Sequence, residues 1–167
     1  RENIDLDISE FDVSGIYNLA AISKTPGYKP QEYYGTNING AKNICSFAKK
    51  NDINKIIFTS TIAVYGFNEV ACTEDFELMP DSDYGHSKLK AENIHSKWLS
   101  ESNKRSLLIL RPGVVYGLNE NSNFHRLYKA IKMQIFLYPG RKDTLKSCVY
   151  VKDLVSISYQ LMQEDKT

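Results

Sequence analysis

Tyr84-Gly85-His86-Ser87-Lys88 follows the apolar run Lys55-Ile56-Ile57-Phe58-Thr59-Ser60-Thr61 by a little over twenty residues. Tyr and Lys at i and i+4 share one face of a helix. A hydroxyl at the end of a buried strand, set against that face, is an arrangement for moving a proton and a hydride together. The chemistry it suggests is nicotinamide-dependent oxidation or reduction at an alcohol or ketone. The required acidity also points there. A phenol titrates near pH 10, and bringing it near 7 takes about 4 kcal/mol. One cation ~4 Å away supplies an amount of that order at a protein-like dielectric. Lys88, one turn along, is placed to act so on Tyr84.

The spacing alone is weak evidence, because three Tyr-x-x-x-Lys pairs occur in the chain. Tyr138 to Lys142 is interrupted by Pro139-Gly140, which breaks a shared helical face. Tyr128 to Lys132 follows no hydroxyl-ended strand. Only Tyr84 to Lys88 has the full context.

The elements that must hold these groups are legible from periodicity. Ser14 to Ala21 reads as a short strand entering a small-residue loop, and residues 24–34, with Pro26, Gly27 and Pro30, read as loop. Ile38, Ala41, Ile44, Cys45 and Ala48 recur at helical spacing, predicting a helix over about 34–51. The run 55–61 predicts a strand buried on both faces. A long helix is expected over about 84–101, with Ala91, Ile94, Trp98 and Leu99 inward and Lys90, Glu92 and Lys97 outward. Residues 106–110 form the next strand, 124–132 a helix, 147–151 a strand and 153–163 a last helix. Alternating strands and helices predict an α/β fold with a parallel sheet. Such sheets bind ligands at the carboxyl ends of their strands. Asn18 to Ala21, Ser60-Thr61 and Pro112-Gly113 fall there.

Composition narrows the classes. A formal net charge of +1 with interspersed signs argues against nucleic acid or an anionic membrane as partner. No run approaches the length of a membrane span, and the N-terminus has no signal-peptide character. Three cysteines without a Cys-x-x-Cys pair, and three histidines without ligand spacing, argue against a metal site. Cys45 and Cys148 read as small core residues of a reduced, cytoplasmic protein. The chain lacks an initiator Met and opens in polar sequence, which suggests an excerpt of something longer.

Six segments in order resemble the extended short-chain dehydrogenase/reductase family, in its nucleotide-sugar epimerase and dehydratase branch (UDP-glucose 4-epimerase-like). Tyr17-Asn18-Leu19-Ala20-Ala21 resembles its HLAA loop, with Asn in place of His. Asn37-Ile38-Asn39-Gly40 resembles its N-x-x-G helix. Phe58-Thr59-Ser60-Thr61 through Val64-Tyr65-Gly66 resembles its SSxxVYG strand. Thr73-Glu74-Asp75, Pro80 and Tyr84 to Lys88 with Ala91-Glu92 resemble the segment carrying its Tyr and Lys. Leu110-Arg111-Pro112-Gly113-Val114-Val115-Tyr116-Gly117 resembles LRPxxVYG, and Val149-Tyr150-Val151-Lys152-Asp153 resembles VYVxD. The family's Gly-x-x-Gly-x-x-Gly phosphate turn is absent. The expected fold is therefore a partial Rossmann-type doubly wound parallel sheet lacking its first βαβ unit and most of the C-terminal substrate lobe. Residues 1–118 would be the partial cofactor domain and 119–167 the start of the substrate region.

The resemblance implies Thr61, Tyr84 and Lys88 as catalytic residues. Leu19, Ala20, Ala21, Asn37, Ser60, Tyr84, Lys88, Pro112, Gly113 and Val114 would bind the cofactor. Asp5 or Asp7 could lie beside its adenine. Asn119, Arg126 and Arg141 would contact substrate. NAD is the implied cofactor, with NADP left open, and a nucleotide sugar such as a UDP-hexose the implied partner, with a homodimer by analogy. Epimerisation is the leading expectation. Ile62-Ala63 stand where the dehydratase branch has Asp-Glu, which disfavours dehydration, while a ketone reductase would use the same three residues. A catalytically incompetent dinucleotide-fold remnant is the reading from another class, and weak NAD binding is expected of the fragment alone.

Overall fold

The computed structural model describes residues 4–24, 27–118, 123–137, 140 and 142–164, apart from the side chain of Asn123. These form two compact units, one ending at Arg111 and including Glu164, the other Pro112–Gln163.

The first unit is built on a three-stranded parallel sheet in the order β1 (Ile16–Asn18), β2 (Lys55–Thr59), β3 (Ser106–Leu110). Ile16 pairs with Ile56, and Ile56 with Leu107; at the carboxyl end Asn18 pairs with Phe58, and Phe58 with Ile109. The central strand buries Ile56, Ile57 and Phe58 almost completely, as its uninterrupted apolar run requires. The β1–β2 connection is helical: α1 (Pro30–Tyr33), a wider turn over Tyr34–Ile38, then α2 (Asn39–Lys50). The helix α3 (Asp83–Ser100) connects β2 to β3. Ala41, Cys45 and Ala48 of α2 and Ala91 and Trp98 of α3 pack on Ile56 and Phe58. Small residues on α2 let it lie close to the sheet.

The helical segment before β2 begins at Pro30, earlier than the sequence suggested. Pro is tolerated in the first turn because that position has no intrahelical partner for an N–H. The Lys29 amide is held by the Glu32 carboxylate at 2.8 Å, so the proline that marked a loop instead starts a helix. Two further corrections concern burial. Glu92, expected outward, is 2% exposed, and Cys148, expected in a core, is exposed.

In the second unit, β4 (Val114–Tyr116) pairs in parallel with β5 (Cys148–Tyr150). Two helices accompany them, α4 (Asn123–Lys132) and α5 (Val151–Gln163). The Tyr116 ring stacks on Phe124 with centroids 5.5 Å apart. Among the described residues, no helix is long and apolar enough to cross a membrane, and no cluster of His, Cys, Asp or Glu could hold a metal ion.

Candidate active site

The end of β2 and the start of α3 meet through two short pieces of backbone. After β2 the chain turns through a tight helical turn at Ile62–Tyr65, capped by Thr61, whose Oγ1 accepts the Ala63 amide at 3.2 Å. Gly66 follows with φ +70, and a Cβ there would fall 2.1 Å from the Met79 carbonyl oxygen. Only glycine meets both conditions. Helix α3 opens on Ser82, whose Oγ accepts the Gly85 amide at 3.2 Å. Gly85 itself lies against the turn: a Cβ would stand 2.6 Å from the Ala63 carbonyl oxygen. The missing side chain lets the first turn of α3 approach the end of β2, and so brings Tyr84 to Thr61. Gly85→Ala is expected to cost about 1–3 kcal/mol, since the clash is with backbone. The same change should separate Tyr84 from Thr61. A urea melt checks the first effect, and the phenol's ultraviolet pH titration checks the second.

The Thr61 hydroxyl donates to the phenolic oxygen of Tyr84, so two of the three expected catalytic side chains are in contact. Burial raises the Tyr84 pKa above its usual value, and the Thr61 hydrogen bond opposes that rise. The depression expected from Lys88 is therefore not what this arrangement produces. The reason is where the ammonium goes. Lys88 Nζ donates to the Thr59 carbonyl at 2.7 Å and lies 4.1 Å from the centroid of the Phe58 ring. Only 1% of the residue is exposed, and burial pulls its pKa down to about 8, opposed by the Glu92 charge.

Asn37 sits in the wider turn before α2 and is buried. Its Oδ1 accepts the Ile22 amide at 3.0 Å; its Nδ2 donates to the Ile22 carbonyl at 3.3 Å and to Ser87 Oγ at 2.9 Å. Ser87 in turn donates to the Tyr84 carbonyl at 2.8 Å. Asn37 thus ties the loop after β1 to the first turn of α3. Leu19, Ala20 and Ala21 lie exposed at the start of that loop. A cleft of about 440 Å³ opens beside the phenol, lined by Tyr28, Tyr33, Asp81, Ser82, Asp83, Tyr84 and His86.

Sequence reasoning missed two buried groups. Asn18 Nδ2 lies 3.1 Å from His95 Nε2, and His95 Nδ1 lies 2.7 Å from the Ala91 carbonyl. The carbonyl requires an N–H at Nδ1, so Nε2 accepts from Asn18. Burial lowers the His95 pKa, and its ring stacks under Phe58 at 4.2 Å. The second is an ion pair between Glu92 and Arg111, joined by Tyr65. Spacing carried a signal for both, because Glu92 and His95 lie four and seven residues after Lys88, on its own helix face.

Two observations match a dinucleotide at the carboxyl end of this sheet. Ser60 Oγ is buried without a hydrogen-bond partner, a state that costs free energy unless a ligand group completes it. Lys88 spends one donor on Thr59, leaving capacity for a diol. Pro112, Gly113 and Val114 belong to the second unit and are half-buried there. Arg126 is exposed on α4. Asn119 and Arg141 lie outside the described residues.

The model of the NAD dependent epimerase/dehydratase family matches residues 2–167. N-acetyl-alpha-D-glucosaminyl-diphospho-ditrans,octacis-undecaprenol 4-epimerase of Escherichia coli O157:H7 is 33% identical over 163 residues, 96% of this chain and 49% of that protein. UDP-glucose 4-epimerase of Bacillus subtilis (strain 168) is 32% identical over 115 residues, 66% of this chain and 34% of that protein. Among solved structures, UDP-glucuronic acid 4-epimerase from Bacillus cereus in complex with NAD superposes with a TM-score of 0.79 at 28% identity. That match covers 97% of this chain and 54% of the other. The chain thus spans about half the length, or less, of these relatives, and its α/β fold with parallel sheets is part of theirs.

Proposed function

Given that this chain belongs to the NAD dependent epimerase/dehydratase family, we propose that it carries the catalytic segment of a 4-epimerase acting on a diphosphate-linked hexose, with a nucleotide sugar as substrate. The observation that carries this reading is the joining of Thr61, Tyr84 and Lys88 on one strand end and one helix face.

Tyr84 takes the proton of the C4 hydroxyl, and Thr61 holds the reacting oxygen in line. Lys88, free to donate beyond Thr59, holds the nicotinamide ribose. Ser60 and the small residues Leu19, Ala20 and Ala21 border the same cofactor, while Asn37 acts at a distance by fixing the loop that bears them. Bound NAD would supply the acceptor that takes up and returns the C4 hydride. Its positive ring would also favour the phenolate that burial disfavours. Ile62 and Ala63 carry no group able to exchange a proton, so nothing beside Thr61 would drive loss of water. Three free thiols accord with a cytoplasmic setting.

The undecaprenyl-linked substrate in the name of the 33% identical relative supports a second substrate class, the same hexose on a lipid diphosphate. Both readings are tested together. The full polypeptide is incubated with UDP-glucose, UDP-N-acetylglucosamine or the lipid-linked sugar in deuterated water. C4 epimers that retain their hydrogen are expected. Net consumption of NAD would instead indicate a dehydrogenase, net consumption of the reduced cofactor a reductase, and a 4-keto-6-deoxy product a dehydratase; any of these results ends the epimerase reading.

A further inference from the structure

Glu92 follows Lys88 by four residues on α3, the spacing at which a lysine and a glutamate pair on a helix. Both are buried, Lys88 at 1% and Glu92 at 2% exposed, where an opposite charge one turn away should be captured. It is not. Arg111, just past the end of β3, holds the carboxylate with two donors: Nε to Oε1 at 3.1 Å and Nη2 to Oε2 at 2.8 Å. Its remaining Nη1 donates to the Tyr65 hydroxyl at 2.7 Å, and the guanidinium carbon lies 5.1 Å from the centroid of the Tyr65 ring. The Arg fork matches both carboxylate oxygens at once, which a lysine cannot do.

We propose that Arg111 is a positioning residue for Lys88: by occupying Glu92, it keeps the ammonium off its own helix and on the Thr59 carbonyl, facing the strand end. This rests on the functional reading only in what Lys88 is kept free to do. The titratable groups that act on the ammonium are Glu92 and His95, both on α3; Arg111 past β3, and through it Tyr65 of the turn after β2, are joined to this group by Glu92. Without Arg111, the buried Glu92 charge must find another cation, and Lys88 is one turn away. Removing the carboxylate as well takes away the competitor. A clamp that only braced the fold would also recover stability when both partners are lost, but it would leave the Lys88 titration where it is in either variant.

The test follows the Lys88 titration in the full polypeptide, using isotope-labelled lysine Cε signals and assigning Lys88 by its absence in Lys88→Arg. Burial is expected to set the wild-type midpoint at about 8. In Arg111→Leu it should rise by about one pH unit or more, as a paired lysine's does. In Glu92→Leu with Arg111→Leu it should return to the wild-type value or below. An unchanged midpoint in the single variant, or no return in the double, overturns the proposal. Should Arg111→Leu not fold, Glu92→Gln decides: the midpoint should fall, and a fixed midpoint overturns the idea. NAD affinity, measured by calorimetry on the same proteins, should drop about tenfold or more in the single variant and recover in the double. A Lys88 midpoint that moves while NAD affinity does not would uphold the clamp and remove Lys88 from the cofactor site.

Discussion

Tyr84→Phe is expected to lower turnover of the full enzyme by about a hundred- to ten-thousand-fold, the range that a positioned acid–base group contributes. The fold should survive. The phenol is half-buried at the mouth of a cleft, and its ring, which keeps its place 6.2 Å from the Tyr33 ring, is unchanged in phenylalanine. The hydroxyl's partner is Thr61, and losing one such bond costs about 1 kcal/mol. Thr61 still accepts the Ala63 amide, so the turn after β2 keeps its cap. Rate and stability should therefore separate cleanly. Comparing kcat with the thermal midpoint of the same protein checks this. A variant that turns over at the wild-type rate would take Tyr84 out of the reaction.

Lys88→Met is expected to do the reverse to stability. Lys88 titrates at about 8 against an ordinary value of 10.5 because burial disfavours its charge. That gap corresponds to about 3 kcal/mol of destabilisation while the ammonium is charged. Methionine loses the hydrogen bond to Thr59, about 1 kcal/mol, so a net gain of about 2 kcal/mol at neutral pH follows. The sign with pH is definite. Between about 8 and 10.5 the unfolded chain holds the Lys88 proton and the folded chain does not. Wild-type stability therefore rises with pH across that window, and the advantage of the variant shrinks. Urea melts of both proteins at pH 7 and pH 10 measure it. A variant less stable than wild type at pH 7 would contradict the burial argument. Activity should be lost along with the destabilising charge, the pattern expected where a site holds a strained group for function.

Glu101 shows why the interior cation matters more than those outside. Lys49 and Arg105 lie 2.7 and 2.8 Å from its carboxylate, yet the group lies at the surface, where such pairs contribute little. Lys88 has no solvent to screen it, so its few neighbours decide both its position and its acidity.

The chain's own pattern determined the elements. The strand over Ser106–Leu110 and the helix near 84–101 follow from apolar periodicity, which reports burial directly. Tyr84 and Lys88 sharing a face follows from helical geometry, which needs no partner. Tertiary structure decided what periodicity does not encode. Whether Glu92 points outward depends on Arg111 arriving from the end of another strand, nineteen residues later in sequence. Whether Lys88 acidifies the phenol depends on the Thr59 carbonyl that draws its ammonium away. Pattern records how often a residue meets the core, and not which of several polar partners claims it there. That choice is made by distances across the sheet, and it sets the charge that the site presents.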